Sequence, residues 1–160
     1  MTFITKEIGL LIDNVLKKFP ADRKKSAIIE SLLILQHHNS GYVTRDMMHE
    51  LSNYLSVSEI EIYEVATFYT MINTKPVGKN IIAVCNNVSC MLRGSDQILS
   101  HIEKKLNIKV GESTSDNKFF LKDEVECLAA CNGAPMMQIN HKNYENISIE
   151  QVDKIIENLK

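Results

Sequence analysis

Between Phe3 and Phe19 the apolar positions Ile4, Ile8, Leu11, Ile12, Val15, Leu16 and Phe19 recur at three- and four-residue intervals. That spacing lays one stripe along an amphipathic helix, which Pro20 stops. A second helix is expected from about Asp22 through Ala27, Ile28, Leu32, Leu33 and Leu35, ending near Asn39-Ser40-Gly41, where glycine can take a left-handed cap. Thr44 can cap a third, Arg45 to Leu55, with Met47, Met48, Leu51 and Leu55 on one side. Ser58 and Glu61 form a capping box for a fourth that runs through Ile60, Ile62, Val65, Ala66, Phe68, Tyr69 and Met71. This last stretch is apolar around much of its circumference, which predicts a helix at the centre of a small bundle.

The pattern changes at Asn73-Thr74-Lys75-Pro76-Val77-Gly78, where a proline and a glycine mark the best boundary in the chain. Ile81-Ile82-Ala83-Val84 is a short continuous apolar run, the form of a buried strand, and it leads directly into Cys85. Ile98, Leu99, Ile102 and Leu106 form a helical stripe after Gly94-Ser95, and the polar stretch from Asn107 to Lys118 predicts an exposed excursion. Phe119-Phe120-Leu121 and Met136-Met137-Gln138-Ile139 read as strands. Ser148 with Gln151 opens a last helix whose Ile149, Val152, Ile155, Ile156 and Leu159 are expected to face inward. A helical first part followed by strand, helix, strands and helix predicts an α+β protein.

Composition narrows the functions open to it. The 160 residues are 44% hydrophobic, enough for one domain or two small ones. With 18 basic and 20 acidic residues the net charge is −2, which demotes nucleic acid and anionic membrane as partners. No apolar run approaches the roughly 20 residues that cross a bilayer, and the first residues lack a signal or transit pattern. The simplest expectation is a bacterial cytoplasmic protein, or an already processed chain, with no direct membrane insertion.

Chemistry concentrates in the four cysteines. Cys85 and Cys90 have four residues between them, Cys127 and Cys131 have three, and both pairs fall in loops at strand ends. A reducing compartment favours metal or redox roles over structural disulfides. Unrelated buried thiols would not fall as two close pairs. Zinc is the serious rival, since its paired thiolates are spaced by two to four residues. A binuclear iron–sulfur cluster also takes four thiolates and tolerates mixed gaps, so iron is the first candidate. Neither pair has a histidine beside it; His37, His38, His49, His101 and His141 read as solvated or locally hydrogen-bonded side chains. No cysteine has an evident base partner for nucleophilic catalysis. Gly94 and Gly133 could let backbone N–H groups approach a cluster, or serve as turn residues, and the helix start near Ser95 would favour its negative charge.

The segments Glu61 to Gly78, Cys85 to Cys90 with Met91-Leu92-Arg93-Gly94, and Glu126-Cys127-Leu128-Ala129-Ala130-Cys131 with Ala134-Pro135 closely resemble the NuoE-type subunits of respiratory NADH dehydrogenase, complex I. The likeness runs from about Lys17 to the C-terminus. It implies an N-terminal helical bundle over 1–75, then a thioredoxin-like α/β ferredoxin domain over 79–160. That domain would hold one [2Fe-2S] cluster on Cys85, Cys90, Cys127 and Cys131. The resemblance further implies that a partner subunit binds FMN and NADH, and that the chain sits on the cytoplasmic side of the inner membrane among other peripheral-arm subunits. The equivalent subunit of an NAD-linked hydrogenase or formate dehydrogenase is an alternative, and a zinc-stabilised interaction module a remote one. The absence of Gly-x-Gly-x-x-Gly and Gly-x-x-x-x-Gly-Lys agrees that this chain does not bind the nucleotide. Asn86 and Asn132-Gly133 depart from the family pattern beside the ligands, which bears on the potential of the cluster. Lys75 and Pro76 are candidates for partner contact. Nothing in the sequence excludes a homodimer of the isolated chain.

Overall fold

The computed structural model describes residues 2–123, 125 and 127–159; Glu126, which opens the second cysteine motif, lies outside the described residues. The chain divides into two compact units, Met1–Pro76 and Val77–Lys160.

Local capping chemistry sets the helices of the first unit. Thr5 accepts a hydrogen bond from the Ile8 N–H at the start of α1 (Lys6–Leu16), and Thr44 does the same for Met47 at the start of α3 (Arg45–Leu55). Ser58 and Glu61 open α4 (Glu59–Phe68) reciprocally: the Glu61 carboxylate accepts from the Ser58 N–H at 3.2 Å. The helix expected from Asp22 begins instead as a 3-10 turn, Lys24–Ala27, and continues as α2 (Ile28–His38). Ile8, Ile12, Leu32, Leu35, Met47, Met48, Leu51 and Leu55 fill the core between α1, α2 and α3.

Two expectations are corrected here. First, α1 stops at Leu16 and not at Phe19. Second, α4 is a flank of the bundle and not its centre. Only Ile62 and Ala66 of this helix are buried, while Ile60 is 60% and Phe68 77% exposed. Residues of α1, α2 and α3 already fill the interior, so the remaining apolar surface of α4 finds no neighbour in this unit. The helix ends at Phe68 because the next residues are claimed elsewhere. Buried Gln36 of α2 donates to the Met71 carbonyl at 3.1 Å and accepts from the Asn73 N–H at 2.6 Å, and Asn73 in turn bonds Gly41. A single amide thus satisfies two backbone groups of a non-helical segment.

The second unit is built on a mixed sheet in the order β2-β1-β3-β4. The apolar run becomes β1 (Asn80–Val84), paired in parallel with β2 (Phe119–Leu121) and antiparallel with β3 (Met137–Ile139). Val84 stands opposite Met137. Gly78 makes the entry to β1 feasible, since a Cβ there would lie 2.4 Å from the Phe119 carbonyl carbon. β3 turns into β4 (Lys142–Tyr144) through Asn140 and His141, both in the left-handed region, as a two-residue hairpin requires. The sequence reading has no β4, because Lys-Asn-Tyr is polar, as suits an exposed edge strand.

Helices α6 (Ser95–Leu106) and α7 (Ile149–Asn158) supply Ile98, Ile102, Val152 and Ile156 to a core with Ile82, Val84, Phe119, Leu121, Met137 and Ile139. Ile149, expected inward, is 36% exposed: it lies in the first turn, beyond the end of the buried stripe. Asp153 of α7 meets His101 at 2.7 Å and Lys105 at 2.8 Å across the helix pair. The hydrogen bond from His101 leads in holding the Asp153 carboxyl below its ordinary value. The polar segment 107–118 is largely exposed, as expected, but anchored: Gly111 donates to the Leu121 carbonyl and Leu121 to that of Glu112.

Gln36→Leu keeps the volume of the side chain and removes both hydrogen bonds to the Met71–Asn73 segment. Leaving those groups without a partner is expected to cost about 1–3 kcal/mol, read as a lower urea midpoint by far-UV circular dichroism. An unchanged midpoint would show that the clamp is dispensable.

Candidate metal centre

Both cysteine pairs emerge from the same end of the sheet. β1 delivers Cys85 directly at its C-terminal end, and Cys90 follows on α5 (Val88–Met91), a single turn that Asn87 caps by accepting from the Val88 N–H at 2.9 Å. Cys131 begins a 3-10 turn, Cys131–Gly133, that leads through Ala134 and Pro135 into β3. Cys127 lies on the irregular segment after β2.

Hydrogen bonds beyond the ends of the strands join the two loops. The Met136 carbonyl accepts from the Cys85 N–H at 3.2 Å, and the Met136 backbone also bonds the Cys90 sulfur. One peptide segment therefore touches both members of the first pair. Arg93, after α5, reaches across to the Ala134 carbonyl at 3.3 Å. Cys85, Cys90, Ala130, Ala134 and Met136 form a small buried cluster of their own, separate from the core of the sheet, with Leu128 against it.

The thiols form a string. Cys85 contacts both Cys90 and Cys127, and Cys127 Sγ lies 3.7 Å from Cys131 Sγ. Their depths differ: Cys85 and Cys90 are 2% and 1% exposed, whereas Cys127 and Cys131 face solvent. Burial acts to raise the Cys85 pKa, but backbone hydrogen bonds from Leu128 and Asn87, and bonds from its two thiol neighbours, bring it below the ordinary thiol value. At Cys90 burial prevails and the thiol is raised, against a lowering contribution from the Met136 backbone. At Cys127 a backbone hydrogen bond from Ala129 opposes the rise, and the neighbouring Cys131 and Cys85 outweigh it.

Backbone donors at Asn87, Leu128, Ala129 and Met136 thus serve three of the four sulfurs. Sequence reasoning missed these groups, and no residue-type signal could have found them, because every residue except proline carries an N–H. It left Gly133 open between such a role and that of a turn residue, and the Gly133 N–H donates to the Ala130 carbonyl at 3.0 Å, as in a turn. The structure gives that glycine another constraint: a Cβ would lie 2.2 Å from Glu145 Oε2 and 2.6 Å from Glu145 Cβ. Glu145 packs where the side chain would stand, while the Gly133 carbonyl accepts from Asn146 at 2.7 Å and the Pro135 carbonyl from Ile147 at 3.0 Å. Gly94 is the left-handed N-cap of α6, at φ 90°.

The donor set has the chemistry of a thiolate-held cluster: four sulfurs, two from each loop, served by backbone N–H groups. Among the described residues no three His, Cys, Asp or Glu side chains converge on one point that could hold a metal ion. A binuclear core takes two thiolates at each end, whereas a tetrahedral zinc gathers four at one point. The contacts of Cys85 with Cys90 and Cys127, and of Cys127 with Cys131, with Cys90 also near Cys131, bring together four thiols from two loops, the donor number that both groups take. The histidines have other surroundings. His101 pairs with Asp153, His49 with Glu59, His38 Nδ1 meets the Ile34 carbonyl, His37 is exposed beside it, and His141 occupies the hairpin turn.

The family model described as thioredoxin-like [2Fe-2S] ferredoxin matches residues 12–160. The E-type subunit of the NADH-quinone oxidoreductase of Rickettsia conorii is 44% identical over 158 residues, spanning 99% of this chain and 93% of that protein. That of Rickettsia bellii is 45% identical over 150 residues, 94% of this chain and 89% of the relative. The mitochondrial NADH dehydrogenase [ubiquinone] flavoprotein 2 of Dictyostelium discoideum is 38% identical over 156 residues, 98% of this chain and 63% of its own. Among solved structures, an NAD+-reducing [NiFe]-hydrogenase in the air-oxidised state superposes with a TM-score of 0.67 at 23% identity. The match covers 80% of this chain and 22% of the hydrogenase chain, and at that identity it shows a shared fold.

Gly133→Ala is expected to destabilise the second unit by about 1–3 kcal/mol through overpacking, with faster hydrogen exchange at the Asn146 and Ile147 amides. Adding Glu145→Ala should restore part of the loss. No recovery in the double variant would mean that Glu145 is not what excludes the side chain.

Proposed function

We propose an electron-transfer role for this chain, which belongs to the thioredoxin-like [2Fe-2S] ferredoxin family: it is the subunit of an NADH:quinone oxidoreductase that carries one [2Fe-2S] cluster. The observation that carries this reading is identity of 44% over nearly the whole of this chain and of a protein named as a subunit of NADH-quinone oxidoreductase. Cys85, Cys90, Cys127 and Cys131 hold the cluster, one pair from each loop. When bound, it supplies a site that takes up and gives back single electrons.

The protein's own residues determine the setting of that site. Burial of Cys85 and Cys90 keeps water from one side, and backbone N–H groups aimed at the sulfurs stabilise negative charge there. Exposure of Cys127 and Cys131 leaves the other side near the surface, where a redox partner can approach. The partner is a flavin- and NADH-binding subunit. Exposed apolar side chains support a life in complex: Ile60, Phe68 and Met71 in and after α4, and Val88, Met91 and Leu92 on and after α5. Among the described residues no helix is long and apolar enough to cross a membrane. The chain takes a place in a peripheral arm, on the cytoplasmic side. The equivalent subunit of an NAD-linked hydrogenase is a second reading, favoured by the shared fold and set behind the first by 23% identity against 44%.

Purified protein is expected to contain iron and acid-labile sulfide in equal amounts and to show an EPR signal on reduction; zinc without sulfide would overturn the reading. Cys85→Ser and Cys131→Ser should each bleach the visible absorption and loosen the second unit while the helices of the first persist. Affinity purification from the native cell should recover a flavin- and NADH-binding subunit. Recovery of hydrogenase subunits instead would transfer the chain to the second reading.

A further inference from the structure

The two outer sulfurs are as close as two thiols that have not reacted can comfortably be. Cys127 Sγ and Cys131 Sγ stand 3.7 Å apart on the solvent-facing side of the centre. A disulfide brings such atoms to about 2.05 Å, so closure needs an approach of less than 2 Å. The intervening segment is short and irregular, with Ala129 in the left-handed region at φ 57°. Its Leu128 and Ala129 backbone bonds go to sulfur, at Cys85 and Cys127. Sulfur is a weak acceptor, so these bonds yield more readily than a ladder of N–H to carbonyl bonds.

The inner pair differs in exposure and anchorage. Cys85 and Cys90 are 2% and 1% exposed, and Cys90 is fixed on α5. Reagents in solution reach exposed thiols before buried ones, so the outer pair meets them first.

We propose that Cys127 and Cys131 close an internal disulfide in the cluster-free chain, and that this bond gates uptake of the cluster. The gating rests on the ligand assignment above. The co-reactant is a small-molecule disulfide such as glutathione disulfide. One outer thiol, as thiolate, attacks a sulfur of the oxidant, forms a mixed disulfide and expels one small thiol. The second outer thiol then attacks the protein sulfur of the mixed disulfide and expels the other. Two S–H bonds and one S–S bond break; one protein S–S bond and two small-molecule S–H bonds form. The protein is oxidised by two electrons, and the small disulfide is reduced by the same two. With two of four ligands tied to each other, the centre cannot be filled. An external thiol reverses the exchange and reopens it.

The full-length chain stripped of iron with a chelator, then exposed to glutathione disulfide, tests this directly. Its intact mass should fall by that of two hydrogen atoms, and peptide mapping should place the bond between Cys127 and Cys131. Cys85 and Cys90 should alkylate with N-ethylmaleimide only after denaturation. Cys131→Ser should form no internal bond and carry a glutathione adduct on Cys127. The oxidised chain should take up no cluster from ferrous iron and sulfide until dithiothreitol is added, and the reduced chain should take it up directly. A bond to Cys85 or Cys90, four free thiols after prolonged exposure, or equal uptake by oxidised and reduced chains would overturn the proposal. The mass and the map are read on metal-free protein, so their outcome is independent of whether native protein holds iron and sulfide or zinc.

Discussion

The centre depends on the backbone around Met136. This residue lies just beyond the β1–β3 ladder, and its carbonyl accepts from Cys85 while its backbone also bonds the Cys90 sulfur. Strand pairing is thereby extended by one residue past the sheet, and the extension is what sets the first thiol pair against the second loop. Buried backbone groups must find partners, so the register of Val84 opposite Met137 carries its precision outward to the sulfurs. The rest of the loop follows from the same anchorage, with the Arg93 contact to Ala134 and the bonds from Asn146 and Ile147 holding the approach to β3.

Local signals made much of this legible in the sequence. Thr44, the Ser58–Glu61 box and the Ser148–Gln151 box all open helices where their residue types require, because capping is chemistry between groups three residues apart. The run that became β1 was readable because a strand buried on both faces is continuously apolar. Two loops with two cysteines each could also be foreseen, whereas the depth of each sulfur could not. Spacing along the chain carries no record of which side of a loop meets the core, and so the contrast between Cys85 and Cys131 needed the fold.

The failures have a common origin in what periodicity leaves out. A helix with apolar residues on many faces, such as α4, states how much surface is available for burial and not what buries it; Ile60 and Phe68 remained outside because other helices had already filled the bundle. β4 went unnoticed for the opposite reason, since its polar residues suit an exposed edge and its pairing is fixed by the left-handed Asn140 and His141 in the preceding turn. For Gly133 the sequence left a cluster donor and a turn residue both open; the glycine sits in a turn, and the space beside it is filled by Glu145.

Cys85 and Cys90 belong to a buried cluster of five residues that shares no member with the core beneath the sheet, and Cys127 and Cys131 lie outside both. The sheet and its helices Ser95–Leu106 and Ile149–Asn158 bury Ile82, Ile102, Leu121 and Val152 without help from any cysteine. The core beneath the sheet therefore closes on apolar side chains alone, whereas the loops that carry the cysteines rest on their own small cluster and on backbone bonds. Damage to the centre would reach the loops first and the packed sheet last.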